Sequence, residues 1–132
     1  MTGIQTNPSL APILLIEDEP SVSAFVRTAL ERKGYRVVQA STGAEGLHQL
    51  STETYSGVIS DIRMPGDVNG ADIHQWIQRN RPELGRRIIL ISGDTAYSET
   101  QSLLSSSATP CIEKPFRVQQ LISTVEKTFG KP

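Results

Sequence analysis

Gly57-Val58-Ile59-Ser60-Asp61-Ile62-Arg63-Met64-Pro65-Gly66 is an apolar run that ends on a carboxylate and passes into a loop rich in proline and glycine. A short apolar run bounded by turn residues reads as a buried strand, and the acid at its carboxyl end then lies at the rim of a sheet. In open α/β sheets that rim is where ligands bind. Taken alone, Asp61 is an acid capping a loop. The groups at the ends of the other strands reverse that reading.

Two further runs, Ile13-Leu14-Leu15-Ile16 and Ile88-Ile89-Leu90-Ile91, are apolar throughout, as a strand covered on both faces of a parallel sheet requires. The first ends in Glu17-Asp18-Glu19 and the second in Ser92-Gly93-Asp94. Pro20 suits the first turn of a helix, and Val22, Phe25, Val26 and Leu30 follow at helical spacing until Gly34. Arg36-Val37-Val38-Gln39-Ala40 is shorter and more polar, as an edge strand should be. Thr42 with Glu45 predicts a capping box opening a helix that carries Ala44, Leu47 and Leu50. Asn69-Gly70 precedes Ile73, Trp76 and Ile77 at helical spacing, with Trp76 a packing residue.

Between Asp94 and Ser107 serines and threonines outnumber the apolar positions, so the helix expected there is the least stable element. Cys111-Ile112 makes a short last strand, followed by Glu113-Lys114-Pro115-Phe116 and a helix with the face Val118, Leu121, Ile122, Val125 and Phe129. Strict alternation of five strands and five helices predicts a doubly wound (βα)5 parallel sheet with right-handed crossovers.

The 132 residues suffice for one domain, expected over residues 12–130, with residues 1–11 a leader or linker lacking any apolar period. A net charge of -1 from interspersed acids and bases argues against direct nucleic-acid binding and against a polybasic membrane patch. No apolar run approaches a membrane span, so no membrane insertion is expected. The lone Cys111 cannot form an internal disulfide, and the first residues lack the pattern of a secretion signal. The expected compartment is the cytoplasm.

In an open parallel sheet all carboxyl ends lie on one edge, so Glu17, Asp18, Asp61, Ser92 and Lys114 converge there if the strands are as read. Carboxylates alone would repel one another. A divalent cation resolves that repulsion, and Mg²⁺ takes one or two protein carboxylates while leaving positions for water and phosphate oxygens. Lys114 supplies a point charge and Ser92 a hydroxyl for the remaining oxygens of a phosphoryl group, and an Asp carboxylate can act as its covalent acceptor. His48 and His74 have no acid or cysteine at ligand spacing and read as surface histidines.

These residues carry a resemblance. From Ile13 to Phe129 the chain resembles a receiver domain of a two-component response regulator: Glu17-Asp18 is similar to the family's acidic pair, Ser60 to Gly66 to its phosphoacceptor loop, Ile91-Ser92-Gly93 to its hydroxyl position and Glu113-Lys114-Pro115-Phe116 to its lysine motif. The resemblance implies the flavodoxin-like strand order 2-1-3-4-5, the order of flavodoxin and of chemotaxis receivers. It also implies that Asp61 takes phosphate from a histidine kinase or phosphotransfer domain. Mg²⁺ would be bound by Asp18, Asp61 and the Arg63 carbonyl and approached by Glu17 through water. Ser92 would act in switching, the peptide between Lys114 and Pro115 would be cis, and the surface formed by the last two helices and the last strand would pass the signal to a downstream protein.

The chain departs from the family pattern in having Glu-Asp where Asp-Asp is commoner and in a loop from Met64 to Gly70 one residue longer than usual. Cys111 stands where the family usually places an aromatic or His that swings inward, so this switch position lacks its usual reporter. Ser92-Gly93-Asp94-Thr95 and Pro110 look most like receivers attached to hybrid sensor histidine kinases. Such a module assists its own phosphorylation and hydrolysis and is not a conventional enzyme. Two rivals are an aspartate-nucleophile phosphohydrolase, in which a second Asp would stand where Arg63 does, and a phosphorylation-independent interaction domain, which would have lost an acid or the lysine.

Overall fold

The computed structural model describes residues 11–64, 66–93 and 109–132. Within them five strands, β1 (Ile13–Ile16), β2 (Val37–Ala40), β3 (Gly57–Asp61), β4 (Ile88–Ser92) and β5 (Cys111–Glu113), form one parallel sheet in the order β2-β1-β3-β4-β5. The α-helices are α1 (Pro20–Arg32), α2 (Gly43–Thr52), α3 (Gly70–Asn80) and α4 (Val118–Phe129), and a 3₁₀ turn spans Pro82–Leu84. The helix expected between Asp94 and Ser107 lies outside the described residues. Here α4 is therefore the helix that follows β5.

Successive side chains of a strand point to opposite faces, and the sheet divides its core accordingly. Ile13, Leu15, Ile59, Ile89 and Ile91 pack under α1 and α4 with Val26, Leu30, Leu121, Val125 and Phe129. Leu14, Ile16, Val58, Ile88 and Leu90 pack on the other face under α2 and α3 with Leu50, Ile73 and Ile77. Each fully buried Leu or Ile contributes about 1.5–3 kcal/mol relative to exposure, so both layers are needed to hold the sheet. The short β2 is one edge of the sheet, with Val38 and Gln39 only half-buried, and β5 is the other.

Pro20 opens α1 as expected, and Gly34 leaves it at φ 101°, a left-handed conformation that glycine adopts without a side-chain clash. Three expectations about helix faces and caps need correction. Phe25 and Val118, placed on core faces by their spacing, are exposed, because each helix rotates to bury smaller or deeper neighbours: Ser23, Val26 and Ala29 in α1, Leu121 and Ile122 in α4. Ala44 is likewise exposed, and the buried positions are Gly46, where α2 lies close over Ile16 of β1, and Gly43, which lies against the backbone of Val68. The box at Thr42 is only half formed: Thr42 Oγ1 accepts the Glu45 amide at 3.0 Å, but the Glu45 carboxylate accepts from Ser41 rather than from Thr42. A complete box opens α3 instead, where Asn69 and Asp72 exchange side-chain and backbone bonds.

Trp76 packs at the margin of the second core layer, and His48 is exposed, both as expected. His74 is not a simple surface histidine. Its ring nitrogen lies 2.9 Å from the Thr109 hydroxyl, it is half-buried, and burial lowers its pKa from 6.5.

Candidate functional site

The parallel register levels the strand ends. Ile16 pairs with Ser60, so Glu17 emerges beside Asp61; Asp61 pairs with Ile91, so Ser92 stands one residue beyond it; and Ser92 pairs with Glu113, so Lys114 follows. The Lys114 amide donates to the Ser92 carbonyl at 2.8 Å, and the Lys114–Pro115 peptide is cis. Glu17 extends β1 through its amide bond to Ala40 O at 3.0 Å. Asp61, Glu17 and Ser92 are all buried, at 4%, 2% and 3% exposure.

Lys114 gathers the acids. Its Nζ donates to Asp61 Oδ2 at 2.9 Å and to Glu19 Oε1 at 3.0 Å, and lies 3.3 Å from Glu17 Oε1. Burial by itself would lower the lysine pKa, but hydrogen bonds to Asp61 and Glu19 and the negative field of Asp61 and Glu17 outweigh it, so the ammonium is held above its ordinary range. Burial, reinforced by the charge of Asp61, pushes the Glu17 carboxyl up from 4.5 to about 7, against the lowering effect of the Glu19 amide bonded to its Oε2 at 3.1 Å and the charge of Lys114.

Among the described residues Glu17 Oε1 is buried and accepts no hydrogen bond: Lys114 is at ion-pair distance without the angle for one. A buried charged acceptor left in this state is costly and is suited to a cation. Oxygens of Glu17, Glu19 and Asp61 lie within 4.8 Å of one another, which is a hard oxygen-donor set of the kind that Mg²⁺ takes with its waters.

Of the residues expected here, Glu17, Asp61 and Lys114 are brought into contact. Asp18 is not in that cluster; it is half-buried and lines, together with Glu17, Ser23, Arg27, Gln39 and Glu45, a cleft of about 610 Å³. Arg63 is exposed and its amide donates weakly to Asp61 Oδ1 at 3.4 Å. Cys111 is half-buried against the second core layer, and burial, aided by Glu113, pushes its thiol up to about 11, so it stays protonated at neutral pH. Two participants escaped sequence reasoning. Glu19 was visible only as the third acid of a run, and its choice as the partner of Lys114 depends on where α1 begins. Gly70 read as a turn residue, but a Cβ there would meet Asp61 O at 2.5 Å, so a glycine is what lets α3 start against the acid's strand end.

A doubly wound five-stranded sheet with acids and a lysine joined at its carboxyl edge is the architecture of a flavodoxin-like α/β module that binds its ligand at that edge. The chain belongs to the response regulator receiver domain family, which it matches over residues 13–126, and so is a receiver domain of two-component signalling. It is 30% identical over 115 residues to the response regulator receiver protein CpdR of Brucella abortus, covering 87% of this chain and 93% of that protein.

Its fold matches a CheY-like receiver domain protein from Methanospirillum hungatei at a TM-score of 0.80 and 26% identity, over 91% of this chain and 94% of that one. It also matches the receiver domain of the sensor histidine kinase PA1611 from Pseudomonas aeruginosa, whose crystal structure has a magnesium ion coordinated in the active-site cleft, at 0.78 and 24%, over 92% and 98%. Some relatives are much longer: the chain spans 27% of the Escherichia coli transcriptional regulator GlrR and 13% of the Brucella sensor kinase CckA. The strand order 2-1-3-4-5 expected of the family is the one observed. Among the described residues no helix is long and apolar enough to cross a membrane.

Proposed function

We propose that Asp61 accepts a phosphoryl group from a histidine kinase or histidine phosphotransfer domain in the cytoplasm, and that the altered surface around β5 passes the signal to a downstream protein. The observation that carries this reading is the bond from Lys114 Nζ to Asp61 Oδ2 at 2.9 Å, which sets a fixed positive charge beside a buried carboxylate at the edge of the sheet. In the transfer an Asp61 oxygen forms the new O–P bond while the P–N bond to the donor imidazole breaks and the imidazole leaves. Lys114 then balances charge on the phosphoryl oxygens, and Ser92, buried at the end of β4, offers its hydroxyl as the switching contact.

Asp18, Asp61 and the Arg63 carbonyl would hold Mg²⁺, with Glu17 acting through water; the unpartnered Glu17 oxygen supports a cation at this edge. When bound, the metal neutralises phosphoryl charge and orients the oxygens for in-line attack. The chain's own residues do the rest: burial of Asp61 excludes water, and the lysine holds the acid in one orientation.

Acetyl phosphate with Mg²⁺ should add one phosphoryl group to the protein, read by intact mass, and Asp61→Asn should take up none. Equal uptake by both proteins would remove Asp61 as the acceptor.

A further inference from the structure

Lys114 has three N–H donors: its Nζ donates to Asp61 at 2.9 Å and to Glu19 at 3.0 Å, and it lies at ion-pair distance, 3.3 Å, from Glu17. An incoming phosphoryl oxygen therefore meets an ammonium whose charge is already shared among three carboxylates. Its hold on that ammonium strengthens if one of the three yields. Asp61 is the acceptor itself, and its distance from Lys114 is set by the sheet. Glu17 is buried and tied to the Glu19 amide, so moving it would break a second bond. Glu19 differs from both: its side chain is 56% exposed, and in turning away it would exchange the ammonium for water.

Resting on Asp61 as the acceptor, we propose that Glu19 is a positioning residue that holds Lys114 in the unphosphorylated protein and competes with the phosphoryl group for it. Glu19 then weakens phosphoryl binding and shortens the phosphorylated state without touching the reacting atoms. The backbone role of Glu19 is separate: its carbonyl accepts from Ser23 N at 2.9 Å as the cap of α1, and its side chain makes no capping bond. A substitution that keeps the backbone and removes the charge isolates the competition.

The test measures the dissociation constant for beryllofluoride, a phosphoryl mimic, with Mg²⁺ present, in the wild-type protein, Glu19→Gln, Glu19→Asp and Asp61→Asn. Glu19→Gln should bind about two- to five-fold more tightly, the range corresponding to an exposed ion pair, and should lengthen the phosphoryl lifetime by a similar factor. The gain should fade in about 1 M salt, where an exposed pair is screened, whereas a merely structural effect would persist. Glu19→Asp, which keeps the charge, should stay near wild type. If Glu19→Gln binds as the wild type does, or more weakly, while Asp61→Asn abolishes binding, the competition is overturned and the acceptor stands. If Asp61→Asn binds as the wild type does, both the acceptor and the competition fall.

Discussion

Glu17 gives the sharpest quantitative expectation, because it is a buried acid whose carboxyl is pushed up from 4.5 to about 7 in the folded chain. The folded protein thus holds this proton more tightly than the unfolded chain does. Stability from the protonated form is fully present below about pH 4.5 and is lost as pH rises through about 7, since only then does the folded state carry a buried charge. At about 1.4 kcal/mol for each tenfold difference in proton affinity, the whole cost is roughly 3 kcal/mol, of which about 2 kcal/mol falls between pH 5 and pH 8. That is a sizeable fraction of a typical domain stability of about 5–15 kcal/mol.

Glu17→Gln keeps the acceptor for the Glu19 amide and removes the titration. Urea unfolding of both proteins across pH 5 to 8, in chelator, should show the wild type losing about 2 kcal/mol relative to the variant. His74, whose pKa is lowered by burial, acts in the opposite direction by losing stability as pH falls, and taking the difference between the two proteins removes it. Parallel stability curves would refute the argument that burial of Glu17 is what opposes the ionised state.

The metal should act on the same charge. Mg²⁺ should raise the melting temperature of the wild type, and Asp18→Ala should lose most of that rise; an undiminished shift in the variant would remove Asp18 from the ligands. Gly70→Ala should cost about 1–3 kcal/mol in urea unfolding, because its Cβ would lie 2.5 Å from Asp61 O, and a cost near zero would mean the loop yields freely. Beryllofluoride should alter hydrogen exchange mainly in residues 93 to 113, where the sequence supplies few apolar anchors, and Ser92→Ala should abolish the change. Change confined to α1 and α2 would send the signal through another face.

Much of this protein follows from local pattern. Four-residue apolar runs at Ile13 and Ile88 specify strands covered on both sides, and strict alternation with helices specifies a parallel sheet. Parallel strands share one carboxyl edge, so the meeting of Glu17, Asp61 and Lys114 could be read from strand ends alone, and the family motifs then supplied the strand order. These properties depend on short-range spacing, which a sequence carries directly.

Tertiary structure decided how each element turns about its axis and what it meets. Helical spacing put Phe25, Val118 and Ala44 on core faces, yet all three are exposed, because the apolar stripe is wider than the contact and packing selects which part of it is buried. His74 found Thr109, which lies 35 residues away. Three consecutive acids are equivalent as a string, but the first enters the sheet, the second faces a cleft and the third caps α1 beside Lys114. Successive residues leaving a strand point in different directions, and only the packed position of Lys114, 95 residues from Glu19, determines which acid it binds.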